Sequence, residues 1–229
     1  MNRSITFAAM ISPWKFLSVL LILYAIIGGL LMPVPELPIL EQSIRNLYYH
    51  VPMWFSMVLL LLASAFHATK VLSGKGLEYD AKSNIYATIG MLYGCIGIVT
   101  GMIWAKNTWG AYWVSDPKLN SAAIGMLMYS AYFVLRGSFE DEEKKARYAA
   151  IYNLFCFPVF VVLIFVIPRL TDSLHPGNGG NPGFNQYDLD SRLRMVFYPA
   201  VIGWVLMGFW IADLGIRVKL MELKKWFNS

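Results

Sequence analysis

Six long apolar stretches constrain this chain more than any other feature of its sequence. They run roughly over 16–32, 51–69, 85–105, 117–135, 149–167 and 196–216. A bilayer core about 30 Å thick is crossed by about 20 helical residues, so each stretch is long enough to span it. Backbone inside lipid must satisfy its own hydrogen bonds, and the stretches lack strand-like alternation. The sequence therefore predicts an all-α integral membrane protein with six transmembrane helices.

Composition supports this prediction and excludes several other classes of protein. Only 14% of the residues are charged and the mean hydropathy is +0.51, whereas charged residues dominate the surface of soluble domains. The net charge of +5 then reflects residues that flank the spans, so the expected partner is the lipid bilayer and not a nucleic acid. Cys95 and Cys156 lie inside apolar stretches, and the chain has no C-x-x-C motif for thiol exchange or covalent haem attachment. No repeat or linker divides the chain, which we interpret as a single domain over 1–229.

The distribution of positive residues predicts the orientation. Of the 19 lysines and arginines, 13 lie in the two terminal tails and in the loops at 70–84 and 136–148. The other six lie in or beside the loops at 33–50, 106–116 and 168–195. The positive-inside rule therefore places both termini in the cytoplasm and these three loops outside.

Three further segments complete the organisation of the chain. The first apolar stretch is long for a signal peptide and is followed by no small-x-small cleavage site, so we expect a retained span. The run EDEEKKAR at 140–147 is interpreted as a solvated inner loop without chemistry. The loop at 175–188 is rich in glycine, proline and asparagine, which predicts an irregular and mobile segment.

The outer segment TWGAYWVSDP, residues 108–117, concentrates aromatic side chains between two predicted spans. If 108–115 is helical, Trp109 and Trp113 lie on one face and Tyr112 flanks them. An interfacial aromatic belt explains such residues equally well when they are taken alone. Asp116 is a candidate N-cap, and Pro117 suits the first position of the helix that follows.

The histidines favour a more specific interpretation. His50, in YYHVPMWF, and His175, in LTDSLHPGNGG, both flank spans on the outer side, together with the tryptophan segment. Neutral imidazole is a common ligand of haem iron, and aromatic surface suits a porphyrin. His67 and Asp213, at inner ends of spans, are interpreted as structural. Haem propionates would pair with outer cations, among which the sequence does not choose: Arg45, Lys106, Lys118, Arg169, Arg192 and Arg194.

The tryptophan segment resembles the signature of haem-handling proteins of cytochrome c biogenesis, roughly W-G-x-x-W-x-W-D. Trp109, Gly110, Trp113 and Asp116 match this pattern, whereas Ser115 stands where a third tryptophan is usual. Nearly the whole chain is similar in layout to the CcmC-type haem exporter family, which has six spans and an outer histidine on each side of this segment. The larger haem lyases of the superfamily have more helices and additional membrane histidines.

The resemblance implies a function and a site. It implies a b-type haem, bound non-covalently and transiently at the periplasmic face of a bacterial inner membrane. His50 and His175 would be the axial ligands of the iron, beside the tryptophan segment: Trp109, Gly110, Tyr112, Trp113 and Asp116. It further implies delivery to a membrane haem chaperone resembling CcmE, within an ABC-type complex of CcmA-like, CcmB-like and small single-helix CcmD-like subunits. The chain has no G-x-x-x-x-G-K-[ST] motif, so ATP hydrolysis is expected in another subunit and this chain is expected to deliver haem without being an enzyme.

Three alternatives stay open at this stage. The first is a b-type haem electron carrier, although such carriers usually hold haem between histidines inside the membrane. The second is a haem lyase (cytochrome c synthase) subunit. The third is a membrane scaffold or permease without haem, whose aromatic residues form only an interfacial belt.

Overall fold

The structure is a computed structural model that describes residues 12–175 and 189–228, and within these ranges every regular element is helical. A 3₁₀ turn, Glu41–Asn46, leads into the second helix, and a π-helical turn, Val162–Val166, joins the fifth helix to the sixth. The predicted irregular loop lies, beyond His175, outside the described residues, as does most of the N-terminal tail. The helices are α1 (Pro13–Leu31), α2 (Leu47–Leu72), α3 (Leu77–Trp109), α4 (Pro117–Gly137), α5 (Glu142–Val161), α6 (Ile167–Leu170) and α7 (Ser191–Asn228).

Among the described residues, five helical segments are long and apolar enough to cross a membrane. The described part of the chain is thus all-helical, which confirms that prediction, and its helices are consistent with a membrane protein. The fourth predicted stretch forms α4, which has 21 residues and therefore the length to cross a bilayer core, but it is less apolar than the other five. The number of six spans stays a prediction. The five segments are Pro13–Leu31, Glu41–Leu72, Leu77–Trp109, Glu142–Leu170 and Ser191–Lys225.

The lower hydropathy of α4 has a structural explanation. Its tyrosines Tyr129 and Tyr132 are fully buried against the other helices, while Ile124, Leu127 and Val134 are exposed. These two tyrosines of α4 therefore face the bundle, and the surface that it would present to lipid is largely apolar.

The helices extend beyond the predicted spans, which shortens the loops predicted at 70–84 and 136–148. Only residues 73–76 separate α2 from α3, and Gly74 and Gly76 supply the positive φ angles of this tight turn. The interpretation of 140–147 as a loop was wrong, because α5 begins at Glu142 and the Asp141 carboxylate caps it by accepting a 2.7 Å hydrogen bond from the Lys144 N–H. Acidic residues in a first helical turn are stabilised by the helix dipole, which explains this start.

Buried polar contacts fix the helices at the end opposite to the histidines His50 and His175. The Arg136 guanidinium, on α4, donates two hydrogen bonds of 2.6 and 2.7 Å to the carboxylate of Asp80, on α3. The Asn153 amide, on α5, donates to the hydroxyls of Ser64 on α2 and Ser83 on α3, at 2.7 and 3.1 Å. These contacts join four helices into one frame, and the start of α2, the end of α3, the start of α4 and the end of α6 meet at its other end.

Candidate functional site

His50 lies inside the first turn of α2, packed against α3. Its Nδ1 is 3.0 Å from the carbonyl oxygen of Gly97 and 3.2 Å from the hydroxyl of Thr100. A carbonyl oxygen can only accept a hydrogen bond, so Nδ1 carries the proton and donates it. The lone pair of this imidazole is therefore on Nε2, which makes no hydrogen bond within the described part of the chain.

Two tryptophans flank the His50 ring. Trp54 and Trp104 contact it edge to face, with ring centroids 6.3 and 5.8 Å from that of the imidazole. The sequence analysis assigned no role in the site to either tryptophan. Their contacts give the imidazole apolar walls on the α2 and α3 sides.

His175 lies just beyond α6 and points its Nδ1 at Asp116. The distance from this Nδ1 to the carboxylate oxygen Oδ1 is 3.1 Å. An ionised carboxylate only accepts, so this imidazole also carries its proton on Nδ1 and its lone pair on Nε2. Histidines that bind metals usually donate the other ring N–H to a carboxylate or carbonyl in this way, which fixes their orientation and raises their basicity.

Asp116 connects three parts of this site and is almost completely buried, at 1% exposure. Its Oδ1 accepts hydrogen bonds from the backbone N–H groups of Lys118 and Leu119, which confirms the predicted N-cap of α4. Its Oδ2 accepts from the Ser173 hydroxyl at 2.9 Å and from the Leu174 N–H at 2.8 Å. Burial alone would raise the pKa of this carboxyl, but the donors outweigh burial and hold its pKa below the ordinary value.

The electrostatic surroundings keep His175 neutral. Burial, and next the positive charge of Lys118, lower its pKa to about 4, although the Asp116 carboxylate acts in the opposite direction. A neutral imidazole at pH 7 has its Nε2 lone pair available for a metal. The Trp109 ring lies edge to face against the His175 ring, with a centroid distance of 5.0 Å.

The helix of the tryptophan segment ends earlier than our prediction required. Gly110 adopts a left-handed conformation with φ of +80° and donates its N–H to the Lys106 carbonyl, which terminates α3 at Trp109. The assumption that 108–115 is helical, with Trp109 and Trp113 on one helical face, was therefore wrong. A Cβ on Gly110 would meet nothing within 4 Å, so the glycine is explained by this backbone conformation.

The structure separates the other two aromatic residues of the segment from Trp109. Tyr112 is 56% exposed, and the Lys106 ammonium lies 5.8 Å above its ring. Trp113 is 39% exposed and donates its indole N–H to the Asn120 side chain at 3.3 Å. Trp109 thus belongs with His175, whereas Tyr112 and Trp113 form an exposed aromatic patch at the same end of the bundle as the two histidines.

The candidate propionate partners are not equivalent. Arg45 donates to the carbonyls of Gly29 and Met32 and so caps the end of α1. Lys118 lies close enough for its charge to act on both histidines, and its ammonium makes no hydrogen bond to any residue that the structure describes. The remaining cations have partners: Lys106 with the Gly110 carbonyl, Arg169 with the Phe165 carbonyl, Arg192 with Asp190, and Arg194 with the Leu189 carbonyl.

His67 provides an internal contrast, at the far end of α2. Its ring stacks on Tyr86 with a centroid distance of 5.4 Å, and its buried Nδ1 has no hydrogen-bond partner among the described residues. No acceptor therefore orients it as His50 and His175 are oriented. Asp213 makes ion pairs with Lys15 and Arg217, in agreement with a structural role.

Our sequence analysis missed the α3 residues that hold His50. Gly97, Thr100 and Gly101 lie directly against this histidine or its neighbour Trp54. The available signal was the G-x-x-x-G spacing of Gly97 and Gly101, which marks close helix packing in membranes.

Comparisons with known proteins identify relatives along nearly the whole chain. A family model described as CcmC, heme exporter protein C, matches residues 1–226. A protein of Escherichia coli (strain K12) named "Heme exporter protein C" is 25% identical over 186 residues, which cover 80% of this chain and 73% of that protein. Its namesake in Haemophilus influenzae is 23% identical over 212 residues, or 91% of this chain and 84% of that protein. "Cytochrome c biogenesis protein CcsA" of Parasynechococcus marenigrum is 37% identical over 79 residues, or 34% of this chain and 26% of that protein.

Proposed function

We propose, because the chain belongs to the heme exporter protein C family, that it binds haem during cytochrome c biogenesis and passes it to a membrane-anchored haem chaperone. In this proposal His50 and His175 are the two axial ligands of the iron. The observation that carries it is the common state of the two imidazoles: each donates its Nδ1–H to an acceptor and keeps its Nε2 lone pair. The haem is a b-type cargo, bound non-covalently and transiently.

The surroundings of both histidines suit a porphyrin. Trp54 and Trp104 lie beside one imidazole and Trp109 beside the other, so aromatic surface is available on both sides of the proposed iron position. When bound, haem supplies an iron that accepts two nitrogen ligands. The protein holds and orients this cargo, and Asp116 fixes both the His175 ring and the start of α4.

Lys118 is the proposed partner of a haem propionate. Its backbone is held by the Asp116 cap, and its ammonium lies near both histidines without a hydrogen bond to the described residues. A partly buried ammonium gains a charge-assisted hydrogen bond when a carboxylate approaches. Lys118→Ala is expected to weaken haem binding in a titration, whereas Lys106→Ala, which removes an exposed cation, is expected to leave it unchanged.

We further propose a six-span arrangement with both termini in the cytoplasm of a bacterium and the haem site on the periplasmic side of the inner membrane. The length of α4, its apolar outer face and the distribution of lysine and arginine support this topology. The patch of Tyr112 and Trp113 is then available to a CcmE-like chaperone. CcmA-like, CcmB-like and CcmD-like subunits of an ABC-type complex are the expected membrane partners.

Absorption spectra of the detergent-purified protein, oxidised and reduced and after addition of haem, test this function. We expect a Soret band with low-spin features in the wild type, and its loss or a shift to high spin in His50→Ala and His175→Ala. His67→Ala is the matched control and is expected to retain the wild-type spectrum, since that ring has no oriented nitrogen. A wild-type protein that binds no haem, or two variants with unchanged spectra, would refute the proposal.

A further inference from the structure

We propose that Gly97, Thr100 and Gly101 of α3 form a seat that fixes His50 as the permanent iron ligand, and that His175 is the ligand released when haem leaves. The release step rests on the proposed haem-binding function. The seat itself is a property of the protein without haem and is tested independently below.

The seat admits the imidazole because Gly101 has no side chain, and Gly97 leaves room for the neighbouring Trp54. A Cβ on Gly101 would lie 2.7 Å from Cε1 and 3.3 Å from Nδ1 of His50, closer than carbon atoms approach in proteins. A Cβ on Gly97 would lie 3.0 Å from Cε2 of Trp54, which is the neighbour that supports the ring from the α2 side. The imidazole therefore lies directly on the α3 backbone, where it reaches the Gly97 carbonyl.

Thr100 supplies a second acceptor to the same proton. Its hydroxyl is 2.8 Å from the Ile96 carbonyl, to which it donates, and a lone pair then remains for the His50 Nδ1–H at 3.2 Å. The Thr100 carbonyl accepts a 2.9 Å hydrogen bond from the Asn46 side chain, just before α2 begins. The start of α2 and the imidazole are thus tied to one turn of α3, so His50 is held by both its backbone position and its ring.

His175 is held in a different way. It follows α6, a helix of four residues, in a segment that has left helical conformation at Thr171. Among the described residues its imidazole makes one hydrogen bond, to Asp116, and meets the edge of the Trp109 ring. Ser173 and Leu174 bind the same carboxylate, so three successive residues of this short segment share Asp116 as a partner. The His175 ring is bonded to a side chain, whereas the His50 ring is bonded to the backbone of a packed helix, which makes His175 the ligand that can give way to an incoming one.

The seat is tested by ¹⁵N NMR of the haem-free protein with labelled histidine, which has only three histidine side chains to assign. We expect His50 in the Nδ1–H form in the wild type and a loss of this form in Gly101→Ala. In Thr100→Val the Gly97 carbonyl remains as acceptor, so we expect the Nδ1–H form with a shifted Nδ1 resonance. Gly90→Ala is the control, because its Cβ meets Leu61 at 3.1 Å in the same α2–α3 interface but no histidine. A proton on Nε2 of His50 in the wild type, or an unchanged His50 in both seat variants, would overturn the seat. Thr100→Val keeps the test valid if Gly101→Ala does not fold.

The release order is tested by stopped-flow replacement of one axial ligand with excess cyanide in the haem-loaded protein. Ser173→Ala removes a hydrogen bond to a buried carboxylate and is expected to accelerate replacement roughly tenfold. Thr100→Val is expected to leave the rate nearly unchanged, because the ligand that it supports stays bound. Acceleration by Thr100→Val and not by Ser173→Ala would show that His50 leaves first and overturn the proposal. A wild type without haem would instead refute the proposed function, and the NMR result on the seat would stand.

Discussion

The substitution Asp116→Ala tests the site at its most connected residue. It removes the acceptor of the His175 Nδ1–H, the acceptor of the Ser173 and Leu174 hydrogen bonds, and the cap of α4. The imidazole then loses its fixed orientation, and its Nε2 becomes a weaker donor to iron.

The expected magnitude follows from these contacts. Loss of a partner that orients a metal-binding histidine typically reduces affinity about 10- to 100-fold, which is about 1.4–2.8 kcal/mol. Loss of an aspartate N-cap costs about 1 kcal/mol of stability. Haem titration followed by the Soret band measures the first effect, and thermal unfolding in detergent measures the second. Asp116→Asn is expected to fall between the wild type and the alanine variant, since an amide has only one accepting oxygen for the groups that now share two.

Asp141→Ala is the matched control for the cap. Asp141 caps α5 by accepting a hydrogen bond from Lys144, at the end of the bundle opposite to the site. This variant is expected to lose about 1 kcal/mol of stability, the cost of a cap alone, with no change in haem affinity. Equal haem affinities in Asp116→Ala and the wild type would refute the argument that the Asp116–His175 contact prepares an iron ligand. Equal losses of haem affinity in both cap variants would assign the effect to stability alone.

Three further predictions concern the frame and the site. Arg136→Ala leaves the buried Asp80 carboxylate unpaired, and thermal unfolding is expected to show a loss of about 3–5 kcal/mol; an unchanged midpoint would contradict this. Because burial and a neighbouring lysine lower the pKa of His175 to about 4, protons compete for its Nε2 only near that pH. Haem affinity is therefore expected to stay constant as the pH falls through the ordinary histidine pKa near 6.5, and to decline only toward about 4. A decline that begins near 6.5 would show that the pKa of His175 is not lowered. Trp109→Ala is expected to shift the Soret spectrum because this ring contacts His175, whereas Trp113→Ala is expected to leave the spectrum unchanged, and the reverse order would contradict the geometry.

Local sequence signals were sufficient to predict parts of the fold and of the site. Asp116 followed by Pro117 predicted the start of α4, and the structure has the N-cap at that residue. The long apolar stretches predicted a helical membrane protein because length and composition alone determine that class. His50 and His175 could be assigned to one side of the bundle from chain order, since each crossing of a membrane reverses direction.

Contacts between distant residues could not be predicted in the same way. Nothing near Asp116 in the sequence indicates that its carboxylate also binds a segment 57 to 59 residues further along. The aromatic spacing at 109 and 113 predicted a helical face, but the left-handed Gly110 overrides that periodicity. Arg45 was a reasonable propionate candidate until the structure showed its guanidinium bound to carbonyls of α1. In each case the role of the residue depends on a backbone conformation or a long-range hydrogen bond, neither of which can be predicted from residue type alone.

The most direct measurement of the central claim is pulsed EPR of the oxidised, haem-loaded protein labelled with ¹⁵N-histidine. We predict that the iron is coupled to one nitrogen of each of two histidine rings. One coupling is expected to be lost in His50→Ala and the other in His175→Ala. The same two couplings in both variants, or coupling to no histidine nitrogen in the wild type, would contradict it.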